Sequence, residues 1–198
     1  MNKRIIFFVS FCFLTSFSFG QSLDLNKKSL EKIINFEKVN YGTFKDSIDS
    51  FGILVDPIRD IFTLKQTKVI IFRRGKDDFE PQLHIWYHFD LDNKEHACTK
   101  YNWGLYNPSF NLLKQKGLVE KLSKSETKFQ LKYEELKKEL AKMIGEPTLI
   151  KEIADNERAF IEAIYWEGKD KIIGLSIDFD RKLSKFSNYQ IEVTVTYK

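Results

Sequence analysis

The stretch Gln82–Trp103, QLHIWYHFDLDNKEHACTKYNW, decides how the chain is read, because it has the pattern of a β-hairpin and gathers the chemistry. It holds all three histidines, one of the two cysteines and two of the three tryptophans. Along the first strand Leu83, Ile85, Tyr87, Phe89 and Leu91 fall on one face, and His84, Trp86, His88 and Asp90 on the other. The return strand sets Ala97, Thr99, Tyr101 and Trp103 against His96, Cys98 and Lys100. A two-residue turn would pair Phe89 with His96 and mix the faces. A three-residue turn at Asp92-Asn93-Lys94 pairs Phe89 with Ala97, Tyr87 with Thr99 and Ile85 with Tyr101. It keeps the apolar face intact and is the register expected.

In that register His88 lies opposite Cys98, and Asp90 opposite His96. Cross-strand β-carbons about 4.5–5.5 Å apart can share a ion, so His88, His96, Cys98 and Asp90 are candidate donors for zinc or copper. His84 is four strand residues from His88, about 13 Å, and cannot join them. The plain alternative is a wet sheet face with scattered polar residues. A third reading makes Cys98 a nucleophile, with His88 as base and Asp90 or Asp92 as orienter. It lacks the helix N-terminus or loop that would activate a thiol and build an oxyanion hole. Trp86 opposite Lys100 reads as a stem-packing pair, and Trp103 as core.

Outward from the hairpin, Thr67–Arg73 is apolar on both faces and predicts a central strand. Further upstream, Leu30, Ile33 and Ile34 mark a short helix. Thr43-x-x-Asp46, with Phe44, Ile48 and Phe51 on one stripe and Gly52 and Pro57 behind it, predicts a second helix. Gln21–Lys28 reads as a polar, frayed lead-in. Downstream, 107–122 has no clear period and reads as a connector. Ser123-x-x-Glu126 caps a long helix whose stripe is Phe129, Tyr133, Leu136, Leu140 and Met143, ended by Gly145 and Pro147. Strands follow over Ala159–Trp166, Ile173–Phe179 and Tyr189–Tyr197, where clean alternation predicts antiparallel pairing with one buried face. The fold class expected is α+β, with antiparallel meanders covered by helices. The parts are a 21–106 helix-plus-hairpin half, the connector and a 123–198 helix-plus-sheet half, which can share one domain.

Residues 1–20 read as a secretory signal peptide. Lys3 and Arg4 precede an uncharged apolar core, and Ser18 and Gly20 stand at the small-residue positions before Gln21. Val9-Ser10-Phe11 ahead of Cys12 lacks the small residue that a lipid-attachment site needs. Processing would leave 30 basic against 28 acidic residues, a balance that gives no electrostatic case for nucleic acid or anionic membrane. It would also leave Cys98 as the single cysteine, so no internal disulfide could form and the fold must rest on burial. No second run of spanning length appears. The expected location is the periplasm or outside the cell.

The helix stripe Tyr41-x-x-Phe44-x-x-x-Ile48-x-x-Phe51-Gly52 is echoed by Tyr133-x-x-Leu136-x-x-x-Leu140-x-x-Met143-Ile144-Gly145, each followed by a proline and strands, as in two tandem halves. The first copy resembles the helix-then-Gly-then-Pro signature of small bacterial envelope proteins related to BamE and to the beta-lactamase inhibitor protein. Gly52 and Pro57 stand further apart than in the usual Gly-x-Pro form, and the lipid-attachment cysteine of BamE is missing. The resemblance implies a helix-plus-meander envelope protein that binds another protein, with no catalytic residues. No phosphate-cradling loop, Gly-x-Ser-x-Gly elbow or His-Glu-x-x-His motif is present. The expected function is a non-enzymatic binding module for an envelope or extracellular partner; the alternative is a metal protein built on His88, His96 and Cys98.

Overall fold

The structure is a computed structural model that describes residues 23–40, 42–56, 61–74, 83–105, 124–181 and 189–198. The signal-peptide and connector readings lie outside those residues. Helix α1 (Leu30–Asn40) is followed by strands β1 (Gly42–Asp56), β2 (Ile61–Arg74), β3 (Leu83–Asp90) and β4 (His96–Leu105). Helix α2 (Glu126–Ile144) is followed by β5 (Leu149–Asp155), β6 (Ala159–Glu167), β7 (Lys171–Asp180) and β8 (Tyr189–Tyr197). The eight strands form one antiparallel sheet in the order β1-β2-β3-β4-β8-β7-β6-β5. Each four-strand run is a meander, and the two meet where β4 pairs with β8 from Cys98↔Thr196 to Leu105↔Tyr189.

The two described helices lie on one face. Tyr87 reaches Glu37 of α1, Lys132 of α2 lies over the Trp103 ring, and Tyr133 of α2 reaches Glu162 of β6. Beneath them a row of cross-strand neighbours runs Phe72, Ile85, Tyr101, Val193, Leu175, Ile164, every one of them fully buried. Burying each such side chain stabilises the fold by about 1.5–3 kcal/mol, so this row is the backbone of the core. The alternation expected for β8 is present along its whole length, and β2 is interior, with Val69 and Ile70 buried on opposite faces. Among the described residues no helix is long and apolar enough to cross a membrane.

Three local expectations are corrected. Thr43–Phe51 is not a helix but part of β1, paired with β2 from Gly42↔Arg74 to Asp56↔Ile61. A three-turn helix gains little alone, and a long partner strand offers a complete ladder, so pairing overrides the capping signal. The Thr43-x-x-Asp46 segment instead carries a register shift between Phe44 and Asp46. With it goes the helix-to-helix echo of the two stripes. The second correction concerns α2, which starts at Glu126 behind Ser125 rather than from a Ser123 box. Its inner face is Phe129, Tyr133, Leu136 and Leu140, with Ile144 partly buried while Met143 is exposed. Finally, the lead-in is no frayed tail: Leu23 and Leu25 are buried in the core.

Gly104 sits at the β4–β8 seam, where an added Cβ would lie 2.5 Å from the Gln190 Cβ and 2.6 Å from both the Gln190 Cα and the Tyr189 carbonyl oxygen. Backbone cannot swing aside as a side chain can. Gly104→Ala is therefore expected to cost about 1–3 kcal/mol or more, read as a lower urea midpoint. Gly174→Ala should cost less, because there the added methyl meets only the edge of the Tyr165 ring at 3.1 Å. Equal midpoints for the two variants would contradict this account of the seam.

Candidate interface on the sheet face opposite the helices

The hairpin holds its expected register along most of its length: Ile85↔Tyr101, Tyr87↔Thr99 and His88↔Cys98 are partners. Near the turn it changes. The closing hydrogen bonds run from the Asp90 N–H to the Glu95 carbonyl and from the Lys94 N–H to the Asp90 carbonyl, so Leu91–Lys94 is the loop. Lys94 takes a left-handed conformation at φ 58°. Asp90 Oδ1 accepts the Asp92 N–H, and Asn93 Oδ1 accepts the Glu95 N–H. A turn one residue longer than expected must be absorbed, and a register shift does so between His88 and Phe89, leaving Phe89 opposite His96 and Ala97 unpaired.

That bulge moves His96 to the helix side. Its ring stacks on Phe89 at 5.2 Å and lies 4.7 Å from the Tyr197 ring and 5.7 Å from that of Tyr87. Nδ1 accepts the Lys28 N–H at 3.3 Å, which fixes the proton on Nε2, donated to Thr99 Oγ1 at 2.8 Å. Both nitrogens are used.

The expected donor set is therefore dispersed, a correction to the zinc or copper reading. His88, Cys98 and Asp90 stay on the opposite face, and Asp90 lies beside Thr67 and Glu95 instead of His96. His88 Nδ1 contacts Thr67 Oγ1 on β2 at 3.3 Å, whereas the Cys98 thiol leans to Thr196 on β8. Among the described residues no group of three or more His, Cys, Asp or Glu is placed to hold a metal ion. Burial pushes the Cys98 thiol up to about 12, even though the Lys100 charge and the Thr196 hydrogen bond pull it down. A thiol so buried and so reluctant to ionise is a packing group, not a nucleophile.

Among the described residues no helix lies on the other sheet face. One row across it reads Ile71, Trp86, Lys100, Thr194, Gly174, Tyr165; the next reads Arg73, His84, Asn102, Glu192, Ser176, Ala163. Ile71, His84, Trp86, Lys100, Thr194, Tyr165, Ser176 and Glu192 are all partly exposed. Lys100 is 3.6 Å from Glu192, whose Oε1 also accepts the Thr194 hydroxyl, and Asn102 donates to Gln190. The Tyr165 ring lies over the bare backbone of Gly174, and its hydroxyl is raised by burial and then by the Glu192 charge. The face joins two flat aromatics to an ordered polar centre.

Sequence reasoning missed the most buried polar cluster, between α1 and the sheet. Arg74 and Glu37 are both wholly buried and pair in a fork, Nε to Oε2 at 3.2 Å and Nη2 to Oε1 at 2.8 Å. The Tyr87 hydroxyl donates to the same Oε1 at 2.5 Å. Burial alone would lower the Arg74 guanidinium, but the hydrogen bond and charge of Glu37 outweigh it and leave it raised. The signal was in the periodicity. Arg74 continues the inward positions Ile70 and Phe72 of β2, and Glu37 lies one helical turn after Ile33 and Ile34. A charge at two inward positions asks for a partner.

Comparison with family models, curated proteins and solved structures finds no match to this chain.

Proposed function

We propose that the chain is an exported, non-enzymatic binding module that receives a partner protein of the cell envelope or the extracellular space on its sheet face opposite the helices. The observation that carries the reading is the row Ile71, Trp86, Lys100, Thr194, Gly174, Tyr165, presented by six neighbouring strands with the two described helices on the far side. Tyr and Trp beside ordered polar groups are what protein-recognition surfaces enrich. The chain is read further as two tandem halves, each a helix followed by a four-strand meander, joined edge to edge at β4–β8. That order, met twice, is a helix-plus-meander plan, although the stripe that carried the envelope-protein resemblance lies in strand β1. The leader of residues 1–20 supplies the export signal.

The test is affinity capture from envelope and culture-fluid extracts with the processed chain and two variants. Trp86→Ala with Tyr165→Ala should lose a captured partner by tenfold or more, at about 1–3 kcal/mol per anchor. Leu131→Ala, on the exposed side of α2, should keep it. Capture unaffected by the double substitution would overturn the assignment of the face.

A further inference from the structure

We propose that His96 is an acid-sensitive latch on the segment Leu23–Ser29, whose protonation releases that segment from the sheet while the strands beneath it remain paired. The segment crosses the helix side as a strap ahead of α1. Leu23 and Leu25 are buried. The Tyr101 hydroxyl receives the Asp24 N–H and donates to the Asp24 carbonyl, each at 2.9 Å, and Lys171 Nζ donates to the Leu25 carbonyl at 2.8 Å. The last fastening before the helix is the Lys28 N–H on His96 Nδ1.

This fastening needs a neutral ring. A second proton can enter only at Nδ1, where it would face the Lys28 N–H, donor against donor, because Nε2 already carries the proton given to Thr99. A backbone hydrogen bond at Cys98 favours the charged ring, but burial outweighs it. Lys27 and Lys28 on the strap both oppose the charge. Among the carboxylates on the elements around it, Asp24 pairs with Lys28, Glu95 with Lys27, and Glu37 of α1 with Arg74. Asp90 and His88 of β3 and Cys98 and Lys100 of β4 belong to the other face. From β3 and β8 the ring meets the aromatic faces of Phe89, Tyr87 and Tyr197. Burial, with the two lysines, lowers His96 to about 4, whereas a ring freed by strap release would return toward 6.5. Below about pH 6.5 the strap-opening constant should then rise about tenfold per pH unit.

Hydrogen exchange of the full chain, corrected for intrinsic rates, tests this at about pH 7 and about pH 4.5. The strap amides of Asp24 and Lys28 should lose about a hundredfold in protection and stay less protected than β7 and β8 at both values, because those strands open only with the whole fold. His96→Gln should remove the acid response of the strap, and His88→Gln should leave it. Strap protection unmoved by acid would overturn the proposal, as would strap protection equal to that of β7 and β8 at both pH values or a full acid response in His96→Gln. Should His96→Gln fail to fold, the wild-type contrast between strap and strands decides alone.

Discussion

Glu37→Ala is expected to remove about 3–5 kcal/mol of folding stability, a large part of what a domain of this size holds. The substitution leaves the wholly buried Arg74 guanidinium without the carboxylate that Glu37 gives it, and takes the acceptor from the Tyr87 hydroxyl. The charge, once taken out of water, costs several kcal/mol unless it is matched. The pair as a whole is worth much less than its rupture suggests. Glu37→Leu combined with Arg74→Met and Tyr87→Phe replaces the cluster with apolar volume, and it should recover most of the loss. Chemical denaturation of the three proteins, the parent included, makes the comparison. A single substitution as mild as the triple one would show that the ion pair is not what fastens α1 to the sheet.

The second large effect is on acid stability. Burial first, then the Lys100 and His96 charges, lowers His88 to about 4. Burial, with Lys27 and Lys28, lowers His96 to about 4 as well, although a backbone hydrogen bond at Cys98 opposes the shift. Both rings are neutral when folded, while the unfolded chain takes up their protons below about 6.5. The unfolded state therefore binds more protons, and stability must fall as the pH drops from about 6.5 toward 4. Each ring contributes about 1.4 kcal/mol per pH unit, or about 3 kcal/mol over that window. Glu139 acts the other way, since burial and the Glu135 charge raise it and the folded state takes its proton early. Urea midpoints should decline steeply through this range, and His88→Gln or His96→Gln should each roughly halve the slope. A stability flat between these limits would mean that both rings are charged in the folded protein.

Where the sequence spoke through a strict two-residue period, its reading stands: β8 and most of β7 alternate as expected, and the middle of the hairpin lies in the expected register. Period is a local signal reinforced by every residue of the strand, and one slip would expose the whole buried face. The failures have a different physics. Residues 43–51 carry a few capping letters, and pairing with β2 outweighs them. At the hairpin, a turn one residue longer and a bulge at Ala97 cancel along most of the register, yet they send His96 through the sheet. No period reports such a bulge, and one residue's displacement was enough to scatter the four candidate donors. The strap and the Glu37–Arg74 pair depend on contacts between distant segments, of which only the oddly placed charges leave a trace in the sequence. The face opposite the helices was foreseen as a surface of the hairpin; its extension over β8, β7 and β6 required the topology.

The most direct measurement of the proposed binding face is photo-crosslinking in cells that express the chain, with a photoreactive phenylalanine analogue placed singly at Trp86, Tyr165, Leu131 or Val39. The first two positions lie on the face opposite the helices, and the last two are exposed on the helices. The account predicts one shared adduct from Trp86 and Tyr165 and none of that mass from Leu131 or Val39. The same adduct from the helix positions, with none from Trp86 or Tyr165, would contradict it and move the interface to the other side of the sheet.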